Sequence, residues 1–395
     1  MIECDGEFKI PNELTIVGNG FDLAIGALTS YYDFYTCLKE CFYADKKTDF
    51  MKKYHYNSND IIVSKFYDLV DNNRDNYFIN YFLKYNNIFG DWVAFEKELT
   101  KIIINFDKLI SRLKSFDKMN IGQGNICYVN VGDEIDLLHI LNVHSNNNFF
   151  DADMFSLSVF YKDCVRFSIK GKKSNDYTQL LNDISIFLEE FPLMLYKDLI
   201  LFSNLFSIYL GIVYQNAKIE SKIINSFKKS FFVNYNYTNY LKRVLMNNNY
   251  YSDGVLYING VVEDFSGDLN NKIVFGIDSN VSLTNIGFEV FTKRIQRSII
   301  NTEISKLNNI LESAIFECIN IYGHSLNNAD YESLHFIFLK CSAKSKPTIV
   351  TYYYNEDAKV NLIINIKKIL GDEIFDEYQR EGKLLFINSN KIWIK

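Results

Sequence analysis

A chain of 395 residues that is 48% hydrophobic has enough apolar surface for a large core and more than one structural unit. A net charge of −6, with 23% charged residues, gives no electrostatic footprint for general DNA or RNA binding. The seven cysteines are scattered and form no C-x-x-C, which argues against a disulfide framework or a structural zinc site and suits a reducing cytoplasm.

The first informative segment is residues 14–24. A short apolar strand runs into Gly18-Asn19-Gly20-Phe21-Asp22, and a helix follows. Glycines at that spacing let a backbone approach a pyrophosphate, and a helix N-terminus offers it free N–H groups. Leu23 stands where the dinucleotide fingerprint has its third glycine. Asp22 suits a ribose hydroxyl or an N-cap. Thr29 or Ser30 then caps a second helix, with Asp33 three residues after Ser30 in the manner of a capping box.

From about 45 to 225 the pattern is mainly helical, clearest over 177–217. Residues 199–217 carry no formal charge over a length near that of a bilayer span, and a buried helix accounts for them better than a membrane does. Segment 118–135 is the most loop-like, with a short strand expected near 127–131. Lys228, Lys229, Lys242 and Arg243 form a local basic group that reads first as a solvated helix face. Strand-like segments return at 230–236, 255–259, 272–277, 318–323, 348–354 and 383–387. Helical patterns at 286–315, 328–342 and 355–381 separate several of them. Strands alternating with helices predict an α/β fold, with a Rossmann-like, mostly parallel sheet and a large helical insertion. The expected division is 1–44 with 226–395 as a discontinuous nucleotide-binding domain, and 45–225 as the insertion.

Ligands of open parallel sheets bind beyond the carboxyl ends of the strands. The residues expected there are Gly18 to Asp22, then Asn236 and Tyr237, Asn259 and Gly260, Gly276 and Asp278, and Gly323, His324 and Ser325, with Asp330 following. His55, His139, His144 and His335 have no spacing that suggests a metal site, and no metal is expected.

This series resembles the AbiH family of bacteriophage abortive-infection proteins. The carriers are the GNGFDLA-x-G-x-x-T-S-Y-x-D-F stretch from Gly18 to Phe34, and Tyr235-Asn236-Tyr237-Thr238-Asn239-Tyr240-Leu241. Trp92 with Glu96, Phe291 with Lys293 and Gln296, and Gly323-His324-Ser325-Leu326 with Asp330 complete the set. The order is also similar, distantly, to the sirtuin-like fold. On that likeness the glycine-rich loop holds the cofactor, Asn236 takes the place of the catalytic Asn, Asn259-Gly260 the His-Gly position and Gly323-His324-Ser325 a ribose contact. With the strand-end residues, the candidate cofactor contacts are Gly18, Asn19, Gly20, Phe21, Asp22, Thr29, Tyr237, Asn259, Gly260, Gly323 and Ser325, and the candidate catalytic residues Asn236 and His324. Relatives commonly read H-I-H-G where this chain has Tyr257-Ile258-Asn259-Gly260. An Asn amide does not exchange a proton near neutral pH, so Asn259 is no general base. His324 then serves as base, or binding survives without turnover.

The resemblance implies a cytoplasmic anti-phage effector that binds and cleaves NAD or a related nucleotide, answers a phage-encoded trigger and forms a homo-oligomer. No specific nucleic acid or membrane partner is expected. The alternative is a nucleotide-sensing module without turnover, whose helical insertion carries toxicity or partner binding. A nuclease ranks third, because Asp91, Glu96 and Glu98 form no two-metal pattern.

Overall fold

The computed structural model describes residues 2–4, 7–9, 11–54, 60–84, 92–120, 177–216, 230–248, 254–262, 273–278 and 280–389. After an antiparallel pair, Ile2–Cys4 with Glu7–Lys9, six strands form one sheet. These are β1 (Glu13–Val17), β2 (Ser230–Asn234), β3 (Val255–Tyr257), β4 (Cys318–Tyr322), β5 (Thr348–Tyr353) and β6 (Leu384–Asn388). All pairs are parallel and the order is β3-β2-β1-β4-β5-β6. The chain builds outwards in both directions from β1, as in a Rossmann sheet. Register aligns Tyr257, Asn234, Val17, Tyr322 and Tyr352 in one row, so the segments just after them make up the carboxyl edge.

The inner strands read as apolar runs because helices cover both faces. Leu14, Ile16, Val233, Leu256, Ile319 and Ile321 pack on one face with helices Ile304–Ser313, Tyr331–Lys344 and Glu356–Leu370. Val17, Phe232, Val255, Tyr257 and Tyr322 pack on the other with α1 (Gly20–Ala24) and the helix Tyr240–Asn247. Thr15 stays buried by donating its hydroxyl to Ser230 Oγ at 2.8 Å.

The helical unit comprises α2 (Tyr31–Phe42), α3 (Lys47–Tyr54), α4 (Asp60–Asn72), α5 (Tyr77–Lys84), α6 (Trp92–Asn120) and α7 (Tyr177–Asn216). Ser30 caps α2, accepting the Asp33 N–H, as its capping-box spacing predicts. Aromatic side chains fill the centre of this unit. Tyr31 stacks on Phe95 at 4.2 Å, and Phe202 of α7 lies 5.3 Å from Phe82. Phe275 and Tyr237 join from the sheet side, 4.9 Å from Phe95 and 5.8 Å from Phe206 respectively. Leu188–Tyr214 is long and apolar enough to cross a membrane, and 56% of its most apolar window is buried within this core.

Three expected elements differ. Of the strand expected over 272–277, the described residues 273–277 form no ladder; Ile273 and Ile277 make isolated bridges to Gly260 and Thr292. The side-chain amide of Gln296 replaces a strand partner, accepting the Phe275 N–H at 2.7 Å and donating to its carbonyl at 3.1 Å. The helix expected over 286–315 breaks into a 3-10 turn (Ile286–Phe291), α9 (Lys293–Ile299, after Tyr240–Asn247 as α8) and α10 (Ile304–Ser313). Thr292 is extended and caps α9, and Asn301 has φ of 52°. Gly371, with φ of 80°, divides the third helical stretch into α12 (Glu356–Leu370) and α13 (Asp372–Arg380), while α11 is Tyr331–Lys344. The strand expected near 127–131 and the pair Lys228–Lys229 lie outside the described residues. Cys37, Cys41, Cys318 and Cys341 are free.

Candidate functional site

The strand order reverses between β1 and β4, the position at which open parallel sheets take their ligands. Here the two following turns cross in backbone contact. The Gly18 N–H donates to Tyr322 O at 3.0 Å, Gly20 N–H to Gly323 O at 2.8 Å, and Phe21 N–H to Gly18 O at 2.9 Å. A Cβ on Gly18 would stand 2.6 Å from Gly323 O, and one on Gly20 2.8 Å from Gly323 Cα. Gly323 has φ of 65°, and its Cβ would lie 2.3 Å from Phe21 N. The three glycines are therefore required by a chain crossing. In this conformation the amides of Gly18, Gly20 and Phe21 already have acceptors, so a pyrophosphate finds no free donor among them. Phe21 is buried edge-on to Tyr322. Thr29 donates to Asn19 Oδ1 at 2.8 Å and closes the loop between them. Ser325 is exposed, and its carbonyl accepts from Asn365.

On the β1–β2 side of the crossing lies a buried polar group. Asp22 is 1% exposed; it accepts from Asn236 Nδ2 at 2.9 Å and from Thr238 Oγ1 at 2.5 Å. Burial pushes the Asp22 carboxyl up to about 7, against the lowering effect of those two hydrogen bonds. Among the described residues two further buried polar atoms of this end of the sheet have no partner, Asn234 Nδ2 and the Tyr240 hydroxyl, and the Asp22 charge acts on the Tyr240 phenol. Asn234 Oδ1 accepts the Asn236 backbone N–H at 3.0 Å, which ties the Asn234 side chain to the backbone that carries Asn236.

A raised folded-state pKa in an acid makes stability fall with rising pH. The contribution is fully present below the ordinary value of 3.8 and is lost as pH climbs to about 7. The interval corresponds to roughly 4–5 kcal/mol at about 1.4 kcal/mol per pH unit. We expect the wild type to lose stability between pH 4 and 7 relative to Asp22→Asn, measured by urea unfolding at each pH. Parallel curves for the two proteins would show that Asp22 does not titrate there.

On the other side of segment 234–238, beyond β2, β3 and β4, a buried ionic cluster joins the sheet to the helical unit. Lys293 Nζ donates to Glu96 Oε1 at 2.7 Å and to Asp330 Oδ1 at 2.9 Å. Arg297 Nη2 donates to Asn259 Oδ1 at 2.9 Å and lies 3.4 Å from Asp330 Oδ1. All four charged residues are less than 9% exposed. Burial alone would raise the Asp330 carboxyl, but Lys293, then His324 and Arg297, hold it well below the usual carboxylate range. Burial alone would lower Lys293, yet Asp330 and Glu96 keep it above the usual lysine value. Asn327 Nδ2 reaches Glu96 Oε2 at 3.4 Å.

His324 belongs to this cluster. Its Nδ1 accepts the Leu326 N–H at 2.9 Å, and its Nε2 faces Asp330 Oδ2 at 3.6 Å. Neutral imidazole with an acceptor at Nδ1 carries its proton on Nε2. Neither nitrogen then offers a lone pair to a water. Tyr235 packs edge-on against the ring at 4.6 Å and donates its hydroxyl to Ser333 Oγ.

The structure brings together Asp22 with Asn236, and Asn259 with His324 and Asp330. Gly18, Asn19, Gly20, Phe21, Thr29 and Gly323 form the crossing between the two groups. Tyr237 instead turns into the helical core, donating to Val274 O at 2.8 Å, and Gly260 takes a positive φ of 77° as it bridges to Ile273. Asp330 joins residues from α9 and the strand ends. Arg297, Asn234 and Tyr240 were not anticipated as members of the site. Lys293 and Arg297 at i and i+4 put two cations on one face of α9, a signal that a charge pattern alone assigns to solvent. Among the described residues no cluster of His, Cys, Asp and Glu has the arrangement of a metal site.

Residues 14–353 match the family model described as bacteriophage abortive infection AbiH. No curated protein and no solved structure matches the chain.

Proposed function

The chain belongs to the AbiH family of bacteriophage abortive infection, and we propose that it acts by binding and cleaving NAD or a related nucleotide at the β1–β2 end of its sheet. The observation that supports this is the buried pair Asp22–Asn236 beside the switch point of a Rossmann-ordered sheet. Breaking the bond between ribose C1′ and nicotinamide passes through a cationic, oxocarbenium-like centre. Such a reaction needs a positioned water and negative charge nearby more than it needs a strong acid. Asp22 and Asn236 supply a carboxyl and an oriented amide at one place. His324 and Asn259 act from the neighbouring cluster by fixing the loops that carry them.

The test is incubation of purified protein with NAD and NADP, with and without phage-infected cell extract, reading free nicotinamide. Asn236→Ala is expected to lower release by at least about 10²-fold, as for loss of a group that orients the reacting centre. An intact nucleotide that co-purifies with the protein and is never cleaved favours the sensing module. Wild-type protein that neither binds nor cleaves these nucleotides refutes the proposal. We further assign the protein to the cytoplasm and to a homo-oligomer, readable by fractionation and by light scattering.

A further inference from the structure

His324 Nδ1 accepts the Leu326 N–H, its Nε2 faces Asp330 at 3.6 Å, and the Asn259 amide is not basic near neutral pH, so the cleavage reading leaves the proton acceptor unnamed. The described residues contain one more polar group at this edge, and its chemistry differs from that of the ionic cluster. Asp22 stands at the start of α1 with no cation within hydrogen-bonding reach; its partners are an amide and a hydroxyl. A carboxylate held only by neutral donors keeps its basicity, whereas Asp330, facing Lys293, Arg297 and His324, has lost it.

Two buried donors nearby lack partners. Asn234 Nδ2 belongs to a residue with 0% exposure whose Oδ1 is already used by the Asn236 N–H. The Tyr240 hydroxyl is likewise buried and unpartnered, and after burial it is the Asp22 charge that most raises the Tyr240 phenol. Unsatisfied buried donors are uncommon in folded proteins, and a buried water usually completes such a set. Nothing in the packing of Tyr240 against Val17, Phe21 and Leu241 needs the hydroxyl.

We propose that Asp22 is the proton acceptor of the cleavage and that Asn234 and Tyr240 hold the attacking water beside it. This rests on the function proposed above. The water oxygen bonds to ribose C1′ while the bond from C1′ to the pyridinium nitrogen breaks. The bonding pair leaves with that nitrogen, which becomes neutral, and the water proton passes to the Asp22 carboxylate. The products are nicotinamide and a nucleotide with a C1′ hydroxyl, after which Asp22 returns its proton to solvent.

Asp22 accepts from Asn236 and Thr238, and its charge acts on Tyr240 of α8, a ring that Tyr214 of α7 and Arg243 of α8 also influence. Asp22 is the one carboxyl among them, so a rate that rises towards pH 7 reports on it.

The experiment measures nicotinamide release from NAD between pH 5.5 and 8.5, together with NAD affinity, for wild type, Asp22→Asn and Tyr240→Phe. In wild type the rate is expected to climb about tenfold per pH unit below pH 7 and then level. In Asp22→Asn it is expected to drop about 10²–10⁴-fold and lose the climb, with NAD affinity kept. The amide can still accept from Asn236 and donate to Thr238, so this variant is expected to fold, which a melting curve checks. Tyr240→Phe removes a hydroxyl with no protein partner. It is expected to cost roughly five- to tenfold in rate at unchanged melting temperature. Wild-type rate and pH profile in Asp22→Asn overturn the base assignment alone. A loss that tracks NAD affinity overturns it too, making Asp22 a ribose contact. Wild type that binds NAD but releases no nicotinamide at any pH overturns the cleavage reading and this inference together.

Discussion

Lys293→Met is expected to destabilise the protein by about 3–5 kcal/mol, because it leaves buried carboxylates without their main cation. Lys293 bridges Glu96 of α6 and Asp330 after β4 with its one ammonium group. The methionine fills similar volume, so a cavity is not the cause of the loss. Asp330 keeps Arg297 and His324 as neighbours. Glu96 keeps a long contact from Asn327. Both carboxylates lose a short hydrogen bond from the ammonium, so the penalty is shared between Glu96 and Asp330. Two measurements separate these effects. Urea unfolding at pH 7 gives the loss itself, and the double variant Lys293→Met/Glu96→Gln is expected to recover part of it, since a neutral amide needs no counter-ion. If the double variant is less stable than the single one by the full cost of a second mutation, Glu96 is not held by Lys293. A single variant within about 0.5 kcal/mol of wild type, the range of a surface substitution, would mean that the cluster is solvated.

The parts of the fold that were legible in the sequence are those written in local periodicity. The inner strands are buried on both faces, so Leu14 to Val17 and Ile319 to Tyr322 appear as apolar runs, and the Ser30–Asp33 box marks a helix start directly. The 272–277 segment misled because Val274 and Phe275 carry strand-like residues, while the side chain that satisfies their backbone sits at Gln296. Pairing through a distant side chain leaves no periodic trace. Candidate residues were found wherever a strand end has a distinctive polar residue, as at Asp22, Asn236, Asn259 and His324. Their roles were not legible, since they depend on which atoms face each other. Gly18 and Gly20 read as ligand glycines, yet what crowds them is Gly323, about three hundred residues on. Glu96 reads with Trp92 as a pair one helical turn apart, and only the folding of α6 over the sheet brings it to Lys293. Asn234 is hidden in a buried strand, where one more polar residue says nothing of an unpartnered amide.

Gly323→Ala carries the other large effect, and its cause is backbone rather than charge. At φ of 65° an L-residue costs about 1–2 kcal/mol relative to glycine. The added methyl would also meet Phe21 N at 2.3 Å and Gly20 C at 2.7 Å, both main-chain atoms that cannot rotate aside. The two turns must then separate, at an overpacking cost of about 1–3 kcal/mol. Separation stretches the Gly20 N–H bond to Gly323 O, whose loss adds about 1 kcal/mol. The expected destabilisation is roughly 3–6 kcal/mol, within the range that unfolds a marginally stable domain. Gly26→Ala is the control, since Gly26 also has positive φ, at 84°, but a Cβ there meets nothing within 4 Å. The control is expected to lose only the backbone share, about 1–2 kcal/mol. Equal losses in the two variants would mean that the crossing bears no packing load. A much larger loss for Gly323→Ala shows that the turns after β1 and β4 are held in contact.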